Sequence, residues 1–292
     1  MDAIRVTVRR GDVVEATHRV HVATTWGESR GDPGLVCFLR SSAKPLQAIP
    51  FVEGYDTLDD DEIAIACASH RATDDQIAAV RDLLALAPAT EDDLELGLQD
   101  GRPPERIYHN CSGKHAGMLA LCRARDWPTA GYRLPEHPVQ RACADAHGEA
   151  AELALADMPT GTDGCAVVTF AMPLRRMAHA YSRLESLPAG HRIAAAMRAH
   201  PELVGGPDGV DYDLMRAAPG WLAKGGAEGL LCAAGPDGVG VALKSEDGAS
   251  RPLGPALAAF LAPLGLALDR LAVTPVHNSR GDLVGECAVA PA

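Results

Sequence analysis

The sequence predicts an α+β protein, with one antiparallel sheet built by the two chain ends and a helical region inserted between them. Three observations predict it. Strand-like runs rich in β-branched residues lie near both termini, the alanine-rich middle repeats apolar residues at helical spacing, and neither a linker nor an internal repeat interrupts the chain. The whole of 1–292 is expected to be a single domain, with a helical subregion at about 61–200.

Ile4-Arg5-Val6-Thr7-Val8 reads as the first strand, Val13 to Val22 as the second after the Gly11-Asp12 turn, and Leu35 to Leu39 as the third. The period then changes. Pro45-Leu46-Gln47-Ala48-Ile49 opens a helix, since proline suits a first turn whose amides have no intrahelical partner. Asp61 to Ala68 and Asp74 to Ala87 follow at helical spacing, the second with Thr73, Asp74 and Asp75 placed as caps. Lys114 to Asp126, Pro138 to Ala156, Pro173 to Glu185 and His191 to His200 continue the series. After Gly225-Gly226 the strand signal returns, and Leu230 to Ala233 and Gly238 to Leu243 flank Gly235-Pro236-Asp237 as a hairpin. Pro255 to Ala262 reads as an apolar helix that Pro263 ends, and Asp282 to Val289 as the last strand.

A hydrophobic content of 47% over 292 residues is ample for a core. Lys+Arg of 27 against Asp+Glu of 39 gives a net charge of -12, which argues against a general binder of nucleic acid or anionic membrane. No continuous apolar stretch follows Met1-Asp2-Ala3-Ile4-Arg5, and no run of 18 apolar residues occurs, so a cytoplasmic protein with no membrane segment is expected. The eight cysteines form no C-x-x-C pair, and in a reducing compartment most are expected as buried thiols.

Chemistry enters at Arg40-Ser41-Ser42-Ala43-Lys44-Pro45, where a hydroxyl and an amine stand three residues apart at the strand-to-helix junction. A serine needs a base within hydrogen-bond reach, and a lysine serves once its surroundings favour the neutral amine, so Ser41 and Lys44 read as a Ser-Lys dyad. The alternative is a capping serine beside a solvated lysine. Pro45 in the first turn favours Ser42 as that cap, leaving Ser41 to protrude.

Four further clusters carry polar chemistry. Ala66-Cys67-Ala68-Ser69-His70 ends a short apolar helix, and Ser69 and His70 read either as functional or as simple terminators. Asn110-Cys111-Ser112-Gly113-Lys114-His115-Ala116-Gly117-Met118 is the densest cluster. Gly113 permits a tight turn, and the following helix N-terminus lowers a thiol pKa, making Cys111 a candidate thiolate or metal ligand. The phosphate-loop pattern G-x-x-x-x-G-K is absent there. Thr162-Asp163-Gly164-Cys165 offers a second thiol, at no recognised metal spacing from the first. Lys224-Gly225-Gly226-Ala227-Glu228-Gly229 and Ala242-Leu243-Lys244-Ser245-Glu246-Asp247-Gly248 each set a lysine at a strand or glycine turn, either at a cleft or on solvated surface.

Together, and in this order, Ser41-Ser42-Ala43-Lys44-Pro45-Leu46-Gln47, Cys67-Ala68-Ser69-His70, His109 to Met118, Thr162-Asp163-Gly164-Cys165, Lys224-x-Gly226-Ala227-Glu228-Gly229 and Lys244-x-x-Asp247-Gly248 resemble the rhizobial-type, or class 3, L-asparaginases. The resemblance spans about Arg5 to Val289. It implies a serine β-lactamase-like fold similar to that of bacterial glutaminases, hydrolysis of L-asparagine to L-aspartate and ammonia, and a homodimer. It also implies two Ser-Lys tandems, Ser41 with Lys44 and Ser69 with Lys244, beside a zinc ion held by Cys111, Lys114 and Cys165. Arg40, His70, His115, Asp163 and Cys232 are implied in or near the substrate site.

The chain departs from the family pattern in two places. Arg71-Ala72-Thr73 follows Ser69-His70 where a glycine and a glutamate are usual, and Ala166-Val167-Val168 follows Cys165 where a glycine and a proline are usual. Lys224 stays an alternative to Lys244 as the second lysine. A glutaminase, another S-x-x-K serine amidase, or a zinc- or ligand-binding relative without turnover are the competing readings.

Overall fold

The computed structural model describes residues 1–291. The strands are β1 (Ile4–Arg10), β2 (Val13–Thr24), β3 (Val36–Phe38), β4 (Thr160–Thr162), β5 (Val168–Pro173), β6 (Leu222–Gly226), β7 (Leu230–Gly235), β8 (Val239–Ser245), β9 (Val273–His277) and β10 (Leu283–Val289). The helices are α1 (Lys44–Glu53), α2 (Asp60–Ala66), α3 (Asp74–Leu86), α4 (Ser112–Ala124), α5 (Pro138–Ala151), α6 (Leu174–Arg183), α7 (Gly190–Ala199), α8 (Pro201–Val204), α9 (Val210–Ala217), α10 (Leu253–Leu261) and α11 (Asp269–Ala272). The chain forms two compact units: Met1–Cys37, Pro173–Ser182 and Asp208 onward make the first, Phe38–Met172 and Arg183–Pro207 the second.

The first unit holds a seven-stranded antiparallel sheet in the order β6-β7-β8-β2-β1-β10-β9. The two chain ends pair directly in it, β1 on β10 with Val6 opposite Val289, as the sequence predicts for an α+β chain with a helical insertion. Alternation along the strands buries Val6, Val8, Val20, Val22, Leu231, Ala233, Val241, Leu243 and Cys287, which form one core with Leu253, Ala256, Leu257 and Leu261 of α10. Gly240 is required here because a Cβ would lie 2.0 Å from the Ala178 carbonyl of α6. β6 and β9 were not expected from the sequence. Glycines dilute the strand signal of β6, and β9 carries Pro275, which is tolerated because β9 is an edge strand.

The second unit is built on α1, in which every residue from Lys44 to Val52 is buried. A helix buried on all sides belongs at a centre. Pro45 lies in the first turn of α1, as expected. The expected cap does not form: a 3-10 turn, Arg40–Ala43, runs directly into α1, whose N-cap is Ala43 with no side-chain capping bond, and Ser42 is buried instead. The cap on α3 does form, as a box in which Thr73 accepts from the Gln76 amide and Gln76 reaches back to the Thr73 amide. α5 stops at Ala151, short of the expected Ala156, because Glu152 turns left-handed at φ 50°. β4 and β5 pair antiparallel, Thr160 opposite Phe170.

Candidate active site

Ten of the expected site residues, Arg40, Ser41, Lys44, Ser69, His70, Cys111, Lys114, His115, Asp163 and Cys165, belong to the second unit, whereas Cys232 and Lys244 belong to the first. The 3-10 turn presents Ser41 half-buried, directly after Arg40, which takes φ 50° in the left-handed region. Such a conformation at a non-glycine residue costs roughly 1–3 kcal/mol and persists only where its surroundings impose it. One such constraint is Asp163, whose Oδ1 accepts from Arg40 Nε at 2.6 Å.

Lys44 begins α1 with its side chain fully buried. Its amine donates to Ser69 Oγ at 3.0 Å and to the Asn110 carbonyl at 3.4 Å, and also to the Ala68 carbonyl. The family resemblance assigned Lys244 to Ser69; the amine found on Ser69 is that of Lys44. Ser69 is held by its own backbone, its amide donating to the Val204 carbonyl at 2.8 Å.

His70 is fixed as a neutral ring. Its Nδ1 accepts from the Ala72 amide at 3.1 Å, so Nε2 carries the proton and donates to Ser112 Oγ at 2.8 Å, and that hydroxyl donates to the Ile107 carbonyl. Burial, and then the Lys44 charge, push its pKa down to about 3. His70 therefore shapes the loop after Ser69 rather than acting as a base near neutrality. Arg71-Ala72-Thr73 is pinned as well: the Arg71 amide donates to Gln76 Oε1 at 2.8 Å and Arg71 Nε to the Gly205 carbonyl at 3.1 Å.

Cys111, Lys114 and Cys165 come together. Cys111 is the N-cap of α4, with Lys114 one turn on, and Lys114 Nζ donates to Cys165 Sγ at 2.9 Å. The Cys165 side chain does most to push Cys111 well below the usual thiol range. Burial opposes it, and Lys44, Lys114 and His109 add to the lowering. The Cys111 side chain, with burial, pushes Cys165 upward. Burial works against the Lys114 charge, but Cys165, Cys111 and Asp163 outweigh it and hold the amine above its ordinary range. Gly113 differs in purpose from the expected tight turn. A Cβ there would lie 2.2 Å from the Ile65 carbonyl, so the glycine lets α4 press against α2.

Three contributors were not among the site residues expected from the sequence. His109 Nδ1 accepts from the Cys111 amide at 3.0 Å. The Asn110 carbonyl accepts from both Lys44 and the His70 amide. Tyr132 and His115 share a hydrogen bond, Oη to Nδ1 at 2.6 Å, and the Tyr132 oxygen accepts from the Glu95 amide. His109 and Asn110 stand inside a motif already singled out, whereas Tyr132 has no local signal.

In the first unit, Lys224 of β6 is 1% exposed and its amine faces Asp211 Oδ2 at 3.5 Å. Lys244 of β8 donates to the carbonyls of Glu228 at 2.7 Å and Ser245 at 2.5 Å. Asp247 of the same block organises a turn, accepting from Ser245 Oγ at 2.6 Å and from the Ala249 amide. Cys232 is buried on β7, opposite Lys224 in the ladder.

Among the described residues no three His, Cys, Asp or Glu side chains cluster as a metal site. The cluster of two thiols and Lys114 suits zinc chemically, since thiolate sulfur and a neutral nitrogen are donors it favours. No helix among the described residues is long and apolar enough to cross a membrane.

A family model described as L-asparaginase II matches residues 6–289. No curated protein matches the chain. Among solved structures it is similar to Mglu in its native form, at 14% identity and a TM-score of 0.48, over 85% of this chain and 64% of that one. It is also similar to Mglu in 4.3 M NaCl, at 16% identity and a TM-score of 0.38, over 85% and 60%. A third similarity is to a putative beta-lactamase from Bacteroides dorei DSM 17855, at 12% identity and a TM-score of 0.43, over 89% and 93%. The chain thus spans less than two thirds of the length of the Mglu chains.

Proposed function

The chain belongs to the L-asparaginase II family, and from that premise we propose that it hydrolyses L-asparagine to L-aspartate and ammonia through a serine activated by a buried lysine. Membership makes it an amidase of the asparaginase/glutaminase type. The preference for asparagine, the Ser-Lys mechanism and a zinc ion are our reading. The observation that carries it is the 3.0 Å contact between Lys44 Nζ and Ser69 Oγ.

Amide hydrolysis needs an oxygen nucleophile, a proton for the departing ammonia and donors for the oxyanion. With two of its donor directions taken by the Ala68 and Asn110 carbonyls, the Lys44 amine is held in place and its remaining direction is committed to Ser69. Once it has lost a proton, the amine acts as base, taking the proton of the attacking hydroxyl and, on collapse of the tetrahedral intermediate, returning it to the leaving nitrogen. Ser69 exchanges that proton directly, and Ser41, three residues before Lys44, is the second hydroxyl of the pair. The resemblance also names Lys244 as a second lysine of the reaction. Lys224, buried against Asp211, is the alternative lysine, and separate Lys224→Met and Lys244→Met variants decide between them.

Cys111, Lys114 and Cys165 would hold the zinc, which when bound supplies a Lewis acid for the substrate's polar groups. Binding requires Lys114 to give up its proton, so metal affinity falls as pH falls. Arg40, held by Asp163, is assigned to the substrate carboxylate, and a homodimer is proposed from the family, to be read by light scattering. The deciding experiment measures ammonia release by the purified chain from L-asparagine and L-glutamine. Release from neither substrate, or a Ser41→Ala, Ser69→Ala double variant as active as the unmodified chain, rejects the reading.

A further inference from the structure

We infer that Asp211 is a positioning residue of the amidase, acting through Lys224: its carboxylate fixes where the buried amine on β6 stands. The inference rests on the reading proposed above, with Lys224 as the second lysine of the reaction. One observation is which residues carry amines at all. Four of the 27 Lys and Arg residues are lysines, and they are Lys44, Lys114, Lys224 and Lys244. The first three are buried and the fourth is half-buried, so the exposed basic side chains of this chain are drawn from arginine and histidine. Lysine and arginine are not interchangeable, and an amine kept in the interior calls for a reason of its own.

The geometry around Lys224 supplies one. Asp211 sits in the first turn of α9, where its Oδ1 accepts from the Tyr212 amide at 3.0 Å. Its Oδ2 accepts from the Gly225 amide at 3.1 Å and faces Lys224 Nζ at 3.5 Å, and that amine donates to the Gly225 carbonyl at 3.0 Å. One carboxylate oxygen thus ties the amine to the stretch of β6 that carries it, with both side chains buried. Taking two charges out of water often costs as much as their attraction returns, so stability alone does not account for the pair. Lys244 differs, being half-buried and donating to the carbonyls of Glu228 and Ser245. The competing role for Asp211 is a staple between α9 and β6. A staple matters whichever residue stands at 224, whereas a positioning residue has nothing to position once the amine is gone.

The test is a double-mutant cycle on the full chain, read by ammonia release and by NMR of labelled lysine ε-carbons. Four lysines give four signals, and Lys224→Met identifies the one that belongs to Lys224. Asp211→Asn, nearly the same shape without the charge, should move that signal and leave the other three in place. Its kcat should fall by about 10- to 100-fold, as for a catalytic group displaced by about 1 Å, with KM changed far less. On the Lys224→Met background the same substitution should cost nothing further. An unmoved Lys224 signal, a Lys224→Met variant as active as the unmodified chain, or an equal fold-loss on both backgrounds overturns the inference. Should Asp211→Asn fail to fold, Asp211→Glu carries both readouts, since a carboxylate advanced by one methylene should displace the Lys224 signal and lower kcat only where the amine is present. An unmodified chain that releases no ammonia rejects the amidase reading, and the NMR arm still decides whether Asp211 places the amine.

Discussion

Ala166 follows Cys165 at a position where the family usually has glycine, and it takes φ 72°. Its turn is locked on both sides, the Ala166 amide donating to the Asp163 carbonyl and the Asp163 amide to the Val167 carbonyl, each at 2.8 Å. An L-residue held there costs about 1–2 kcal/mol. Replacing it by glycine recovers that strain but adds roughly 0.5–1 kcal/mol of unfolded-chain entropy. Ala166→Gly should therefore stabilise the protein by about 0.5–1 kcal/mol, a rise in melting temperature of roughly 1–3 °C for a chain of this size. Calorimetry with a parallel urea titration reads both quantities, and an unchanged urea slope assigns the gain to the folded turn. A melting temperature equal to or below that of the unmodified chain would refute the strain argument.

Lys44→Met removes the amine from Ser69 and strands two carbonyls, so asparaginase turnover should fall by about 100- to 10,000-fold. A steady-state ammonia assay on folded variant checks it. Elemental analysis should find about one zinc per chain and clearly less in Cys111→Ser. His70 and His147 are held by burial at about 3 and about 4, below the ordinary 6.5. The unfolded chain therefore takes up protons that the folded one refuses. Their contribution is complete above pH 6.5 and is lost as pH falls toward 4, at up to ~1.4 kcal/mol per pH unit for each ring. Urea titrations across that range should show this slope, and His147→Leu should flatten it; an unaltered slope would contradict the assignment.

Much of this was legible in residue patterns. The terminal strands followed from β-branched runs, and α3 from a capping box written in Thr73 and Gln76. Ordered short motifs brought Lys44, Ser69, Cys111, Lys114 and Cys165 forward as candidates before any coordinate. Sequence could not supply the partner of Lys44, because that depends on where α1 sets its first side chain against the 68–69 and 110 backbone. Nor could it supply Tyr132 behind His115, a contact across 17 residues with no periodic signal. β9 escaped because its proline reads as a breaker unless the strand is known to lie at an edge.

Because α1 has no solvent-facing side from Lys44 to Val52, the proposed general base is the first residue of the helix on which the second unit condenses. Reactivity and folding are thereby written into the same stretch, and a substitution along it taxes both together.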